Sequence, residues 1–268
     1  MEEINEDSSS EEKENIASEI SQEKSGNITV EMKKTWRDYV FEFVLPFLAV
    51  MAAFLLNTER EDYVERNLEK QYIQSIINDL KDDAKLIDEQ TTFHKMRIGQ
   101  MDSLMGMLEY PTSIKDFDKL YYLDKLATRN VTFANNGGTF EQMKSSASFR
   151  LIRNQEAAHG IIDYYQKIKT INLVEEREKS DQDSYKRIAV QIFDPFADKH
   201  FGRGAKDKFD KNIKLTISND KFLLRQLAGY IQYLNTSRNR LIFLKQDLKK
   251  TGTGLIVKLK KNYKLKEI

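Results

Sequence analysis

The apolar run YVFEFVLPFLAVMAAFLLN at residues 39–57 constrains the fold of this chain most. Between Tyr39 and Leu56 there are 18 residues, and Glu42 is the only charged one. As a helix this segment is about 27 Å long, close to the roughly 30 Å hydrocarbon core of a bilayer. Pro46 is compatible with this environment, because neighbouring groups satisfy the freed carbonyl in membrane helices. The sequence therefore predicts a transmembrane helix over residues 36–57.

Three residues at the start of this segment suit the boundary between lipid and water. Trp36 and Tyr39 lie where membrane proteins carry an aromatic belt. Glu42 falls in the first turn near the headgroups, where a charge costs far less than at the bilayer midplane. We therefore predict that Trp36, Tyr39 and Glu42 are membrane-interface residues.

Two alternatives to a retained span stay open. The buried helix of a soluble protein would carry a polar face, whereas residues 43–56 are apolar on every face. A signal peptide could be cleaved near Val50-Met51-Ala52. However, the apolar run follows 38 residues in which the charges before the flank are mostly acidic, unlike the short basic region of a signal peptide. The retained span is the interpretation that fits best.

The basic residues around the apolar run bear on its orientation. Three of them, Lys33, Lys34 and Arg37, lie just before it, and three more follow between residues 60 and 70 among acidic residues. The positive-inside rule counts basic residues and gives acids little weight, so the numbers of basic residues on the two flanks barely favour either orientation. The closer cluster favours a cytoplasmic N-terminus, which places the rest of the chain on the opposite side.

The two ends of the chain differ in charge, although Lys and Arg number 43 against 42 Asp and Glu overall. Residues 1–32 hold ten acidic residues and two lysines, too polar a composition to offset the entropy of ordering. We predict a disordered acidic tail over 1–35. Residues 249–268 hold seven lysines, and 251–268 is predicted to be a basic tail, either solvated or docked on anionic lipid. The overall balance gives no indication of nucleic-acid binding.

The rest of the chain is typical of long amphipathic helices. Apolar residues recur at helical spacing in four segments, namely 59–109, 114–127, 155–193 and 219–250. A break near Gly99 is left open, Pro111 is expected to end the first segment, and Gly252 and Gly254 are expected to end the last. The predicted fold class is all-α: one N-terminal transmembrane helix, then an elongated helical bundle with coiled-coil character over 58–250.

The phrase TFEQMKSSASFRLIRN at 139–154 predicts one more helix, with Thr139 as its N-cap. Its apolar residues, spaced three, four and four apart, are Phe140, Met143, Ala147 and Leu151. We predict that these four, together with Tyr165, form a packing motif that faces the bundle interior. Of the adjacent Tyr164 and Tyr165, one is expected to be buried and the other partly solvated.

The sequence contains no pattern that indicates a catalytic, cofactor or metal site. The absence of Cys excludes disulfides, Cys-ligated zinc and iron–sulfur clusters. Among the three histidines, His94, His159 and His200, only His159 has a Glu-x-x-His partner, Glu156. A di-iron bundle needs two such pairs, so an exposed helix histidine is the expected state of His159.

Other polar clusters also have plain structural explanations. The loop NNGG at 135–138 lacks the Lys-Ser/Thr of a phosphate-binding loop and is expected to be a turn. The serines at 145, 146 and 148 have no base nearby in the predicted helix. Four aspartates are expected to form a solvated helix face, namely Asp79, Asp82, Asp83 and Asp88.

Two parts of the sequence resemble a known family. The first is the apolar span with Glu42 and Asn57, followed by IINDL at 76–80; the second is TFEQMKSSASFRLIRN followed by Tyr164-Tyr165. Over about residues 36–250 this is similar to a family of bacterial single-span membrane proteins classed as a domain of unknown function. Pro46 and Ala49 depart from its usual Ile, Val and Gly. The resemblance implies a bacterial inner membrane, but no activity or site residue.

The function expected from these observations is a structural or interaction role, as a membrane-anchored scaffold or assembly partner. The alternative is a single-span ligand sensor that signals through a cytoplasmic partner. The expected partners are the lipid bilayer and either another protein or further copies of this chain, with no nucleic acid and no cofactor. We expect no enzymatic activity, because no nucleophile is paired with a base. The bulk of the chain is expected to be periplasmic.

Overall fold

The computed structural model describes residues 35–196 and 215–265, and within these ranges it contains five α-helices and no strand beyond one isolated bridge. The helices are α1 (Trp36–Glu109), α2 (Phe117–Ala127), α3 (Gly138–Ser145), α4 (Gln155–Ile192) and α5 (Lys221–Tyr263). Two 3-10 turns occur at Pro111–Ser113 and Ser148–Leu151. The prediction of an all-α protein is confirmed. The predicted acidic tail lies outside the described residues, apart from Thr35.

The chain divides into two units, unit 1 (Met1–Glu61) and unit 2 (Asp62–Ile268). In unit 1 the described residues 35–61 are helical from Trp36 onward, and each of them is exposed. α1 is long and apolar enough to cross a membrane, and none of its most apolar window is buried. Pro46 lies inside this helix, as expected of a membrane-compatible proline.

In unit 2, polar side chains at the helix starts explain where three helices begin. Asp116 accepts the backbone N–H of Lys119 at the start of α2, and Asn154 accepts that of Ala157 at the start of α4. Asp220 accepts two backbone N–H groups at the start of α5. Such caps satisfy donors that the first helical turn leaves unpaired. The predicted starts at 114, 155 and 219 agree with these helices to within a turn.

The predicted continuous helix over 139–154 is wrong. α3 begins at Gly138, its N-cap is Gly137 rather than Thr139, and it ends at Ser145. Ala147 then adopts a left-handed backbone with φ of 55°, and a 3-10 turn follows. The hydroxyls of Ser145 and Ser146 bond to the carbonyl of Gln142, a local bond that competes with the continuing helix.

The predicted end of the last helix at Gly252 and Gly254 is also wrong, since α5 continues to Tyr263. Gly252 is buried, and a Cβ there would lie 3.0 Å from Cε2 of Tyr164. Leu255 and Leu259 extend the buried face beyond it. Packing outweighs the low helix propensity of glycine at this point, so part of the predicted basic tail is helical. Gly99 likewise causes no break in α1.

The buried positions of the three long helices of unit 2 repeat every seven residues. In α1 they include Ile73, Leu80, Ile87, His94, Met101 and Leu108. In α4 they include Ala157, Tyr164, Ile171, Glu178, Tyr185 and Ile192. In α5 they include Leu224, Ile231, Arg238, Lys245, Gly252 and Leu259. A strict seven-residue repeat is the pattern by which helices keep one seam facing a partner.

Polar contacts fix the relative directions of these helices within unit 2. Lys249 bonds to Asp88 and Asn235 to Asp102, so α5 runs antiparallel to the unit 2 portion of α1. Two ion pairs, Lys258 with Glu156 and Lys167 with Asp247, show that α4 is also antiparallel to α5. It follows that α4 and α1 run in the same direction through unit 2.

Candidate functional site: a buried polar layer

Unit 2 has two separate apolar clusters, and polar residues occupy the seam between them. The first cluster includes Ile87, Ile171 and Leu241, and the second includes Met101, Tyr185 and Leu234. Nine buried polar residues belong to the segments between the clusters, and a tenth, Lys245 of α5, lies between Leu241 and Leu248 of the first cluster. The nine are Gln90, Thr91, His94 and Arg97 of α1, Glu175, Glu178 and Gln182 of α4, and Ser237 and Arg238 of α5. We call these ten residues the polar layer.

Lys245 is the centre of one half of the polar layer. Its Nζ lies 2.6 Å from Oε1 of Gln90, 3.0 Å from Oε1 of Glu175 and 3.4 Å from Nε2 of His94. These three contacts use the three protons of the ammonium group. Glu175 also accepts the backbone N–H of Phe133, at 3.0 and 3.1 Å from its two oxygens. The interior charge of Lys245 is therefore both paired and hydrogen-bonded.

The contact with Lys245 allows the tautomer of His94 to be assigned. An ammonium group has only donors, so we assign Nε2 of His94 as the acceptor and place its ring proton on Nδ1. Burial lowers the pKa of His94 from 6.5 to about 3, and the positive charges of Lys245, Arg238 and Arg97 add to this effect. His94 is thus neutral at physiological pH, and its Nδ1–H is a donor.

Arg238 and Glu178 form the other half of the polar layer. Nε of Arg238 lies 2.8 Å from Oε1 of Glu178, and each side chain is 1% exposed. Nη2 of Arg238 donates to the carbonyl of Ala127 at 2.7 Å, which ties the end of α2 to the long helices. Burial raises the pKa of Glu178, and Arg238 opposes that shift. Removing one partner of such a pair costs about 3–5 kcal/mol, because the other charge is left buried alone.

Three nitrogen donors of the polar layer have no acceptor among the described residues. They are Nδ1 of His94, Nε of Arg97 and Nη1 of Arg238. Arg97 does donate through Nη1 to Gln100 at 2.7 Å, and its guanidinium lies 4.7 Å from the ring centre of Phe93. A buried donor without a partner costs about 1–3 kcal/mol, and more when it is charged. Oγ1 of Thr91 is also without a partner, so the unpartnered atoms of the polar layer are three nitrogen donors and one hydroxyl.

A second buried polar group lies nearer the start of unit 2, at Asp83. Its carboxylate accepts the backbone N–H of Asn136 at 2.7 Å, the side-chain amide of Asn136 at 3.1 Å and the hydroxyl of Tyr164 at 2.9 Å. Burial raises the pKa of Asp83. The NNGG loop thus lies against α1 and supplies donors to an aspartate. The prediction of a solvated face is wrong for Asp83 and only partly right for Asp79, which is half-buried, whereas Asp82 and Asp88 are exposed.

The residues of the predicted packing motif occupy different environments. Met143 and Leu151 are buried, and Phe140 is half-buried and stacks on Tyr165 with ring centres 4.1 Å apart. Ala147 is exposed, because the left-handed turn after α3 directs it away from the interior expected for it. Tyr164 and Tyr165 are both buried, so the prediction that one is partly solvated is wrong.

The structure also gives the environment of the predicted membrane-interface residues and of the histidines that were not expected to bind metal. Trp36, Tyr39 and Glu42 are exposed in the first two turns of α1. His159 is exposed, and Glu156 pairs with Lys258 at 2.9 Å. Within residues 35–196 and 215–265, no group of three His, Cys, Asp or Glu side chains could hold a metal ion. His200 lies outside the described residues.

The polar layer was missed by the sequence interpretation, although a signal for it exists. Each of its charged residues stands a multiple of seven from apolar residues of the same helix: Arg238 follows Ile231, and Glu178 follows Ile171. A charge at a seam position is expected to be buried and paired. An analysis that considers only the helical periodicity of apolar residues does not identify such charged positions as buried.

Comparisons with known proteins give no relative: no family model, no curated protein and no solved structure matches this chain. The resemblance to a family of unknown function therefore stays a prediction. The functional argument depends on the geometry of the two units.

Proposed function

We propose that this protein is a single-span membrane protein whose unit 2 forms an elongated antiparallel helical bundle and assembles with further copies of the chain as a scaffold. The seven-residue repeats in α1, α4 and α5, with the helix directions set by their ion pairs, support the bundle. An interaction role is carried by one observation above all, a row of four exposed apolar residues on α5, three of them aromatic.

The membrane anchor is supported by unit 1. Its large apolar residues stay exposed, as Phe43 and Leu56 do at 79% and 72%. A contiguous apolar surface of this size is unfavourable in water and favourable in lipid. The cluster of Lys33, Lys34 and Arg37 supports a cytoplasmic N-terminus. The family resemblance supports the bacterial inner membrane, with unit 2 in the periplasm.

The row on α5 consists of Phe222, Tyr233, Phe243 and Val257, which are 60–68% exposed. Phe222, Phe243 and Val257 are separated by 21 and 14 residues, multiples of the seven-residue repeat that the buried seam of α5 follows. The positions between them in this repeat are Gly229, which has open space beside it, and the exposed Thr236 and Lys250. Large apolar and aromatic side chains repeated on one exposed face of a helix can pack against another helix. A second copy of α5 carries a matching repeat, so we assign the row to self-association.

Because the native chain has no Cys, crosslinking can test this assignment cleanly. Phe243→Cys in the full chain, oxidised in native membranes, should give a disulfide-linked dimer. Lys179→Cys, on an exposed position of α4, is the matched control and should stay monomeric. Monomer from both variants, or equal dimer from both, would show that this row is not the interface.

A further inference from the structure

The unpartnered nitrogen donors of the polar layer have a definite location. His94 and Arg97 are one turn apart on α1. Since Lys249 pairs with Asp88 and Asn235 with Asp102, Arg238 falls opposite the stretch of α1 that holds His94 and Arg97. The charge of Arg238 also lowers the pKa of Arg97, after the larger effect of burial.

The carboxylates and the Gln90 amide near these donors already accept from other groups, whereas the hydroxyl of Thr91, which can donate or accept, has no partner either. Glu175 accepts from Lys245 and from the backbone of Phe133. Glu178 accepts from Arg238 and, at 3.4 Å, from Gln182. The amide oxygen of Gln90 accepts from Lys245. Nδ1 of His94, Nε of Arg97 and Nη1 of Arg238 make no hydrogen bond within the described part of the chain.

The formal charges of the polar layer do not balance either. Its buried cations are Arg97, Arg238 and Lys245, and its buried carboxylates are Glu175 and Glu178. This leaves one positive charge in excess, since His94 is neutral. Asp181 lies at the edge, half-buried, and accepts from Ser237 at 3.3 Å. An uncompensated charge inside a protein is unfavourable unless a counter-charge accompanies it.

We propose that the polar layer binds one small monovalent inorganic anion, of the size of chloride, between Arg97 and Arg238 and within reach of Nδ1–H of His94. A monovalent anion balances the single excess charge and offers only acceptors to a set of donors. The three donors come from α1 and α5, so the anion joins these two helices. This inference does not depend on self-association through α5.

The test uses the full chain purified in detergent. Its melting temperature is measured in chloride and in gluconate at equal ionic strength, because gluconate is too large for a closed interior. A site with a dissociation constant near 10 mM should raise the melting temperature by about 3 °C or more at 100 mM chloride. Arg97→Gln should remove this chloride dependence, and Arg177→Gln, on an exposed position of α4, should keep it.

A direct measurement covers the case in which Arg97→Gln fails to fold. Crystals of the unmodified chain grown in bromide should show an anomalous peak between Arg97 and Arg238. The absence of that peak would overturn the proposal. Equal melting temperatures in chloride and gluconate would also overturn it, as would the same chloride response in Arg97→Gln and Arg177→Gln, which indicates a general salt effect.

Discussion

Nζ of Lys245 lies 3.0 Å from Oε1 of Glu175, with the lysine side chain fully buried and the glutamate side chain 9% exposed. The pair joins α5 to α4, and Gln90 and His94 connect it to α1. Three helices thus meet at one ammonium group. The polar layer sets their register, because an apolar seam alone would tolerate a shift by one heptad.

The first prediction concerns this pair. Lys245→Ala should lower the free energy of unfolding by about 3–5 kcal/mol, since it leaves the carboxylate of Glu175 buried without its cation. The double variant Lys245→Met/Glu175→Gln should lose less unfolding free energy than Lys245→Met and Glu175→Gln lose in total when each is made alone, because the two charges are removed together. Lys179→Ala on the exposed face of α4 is the control and should change stability by less than about 0.5 kcal/mol. Chemical denaturation of the full chain, followed by circular dichroism, measures all of these.

The second prediction compares alanine substitutions at two glycines of α5, one buried and one with open space around it. A methyl group at Gly252 would lie 3.0 Å from Cε2 of Tyr164, whose hydroxyl is held by Asp83, so the ring has little freedom to move. Gly252→Ala should therefore destabilise the protein by about 1–3 kcal/mol. Gly254 has open space around it, and Gly254→Ala should stabilise α5 by about 0.5–1 kcal/mol. If both changes stabilise, Gly252 is not a packing position.

The third prediction is a pH dependence due to His94. Its pKa is about 3 in the folded chain and 6.5 ordinarily. Between these values the unfolded chain binds a proton that the folded chain excludes, so stability falls as pH falls from 6.5 towards 3. The slope from this residue should reach about 1.4 kcal/mol per pH unit. His94→Gln should remove it while leaving the contributions of the carboxylates, and identical slopes in the two proteins would contradict the buried, neutral state of His94.

Much of the helix content could be predicted from local sequence. Asn154 and Asp220 cap helices by bonds within four residues, and such signals are readable without tertiary structure. The 139–154 segment was misjudged because its apolar spacing is helical while Ala147 adopts a left-handed backbone. Gly252 was misjudged because a glycine reads as a helix end unless its packing against Tyr164 is known.

The polar layer could not be predicted by the same means. Arg238 and Glu178 are 60 residues apart in the chain, and Lys245 and Gln90 are 155 apart. Charged residues in an amphipathic helix are assigned to the solvated face by default, as Asp83 was. Only the seven-residue repeat relates these charged residues to their buried neighbours. A search for apolar periodicity considers apolar residues alone, so it does not recognise a charged residue as a member of that repeat.

Whether the chain spans a membrane, with unit 2 outside the cytoplasm, is tested most directly by the labelling of single cysteines. In the Cys-free chain, Ser8→Cys and Lys179→Cys are treated with a membrane-impermeant maleimide in intact spheroplasts. Lys179→Cys should be labelled at once, and Ser8→Cys only after the membrane is permeabilised. The reverse pattern would contradict the orientation, and equal labelling of both cysteines in intact spheroplasts would contradict the span itself.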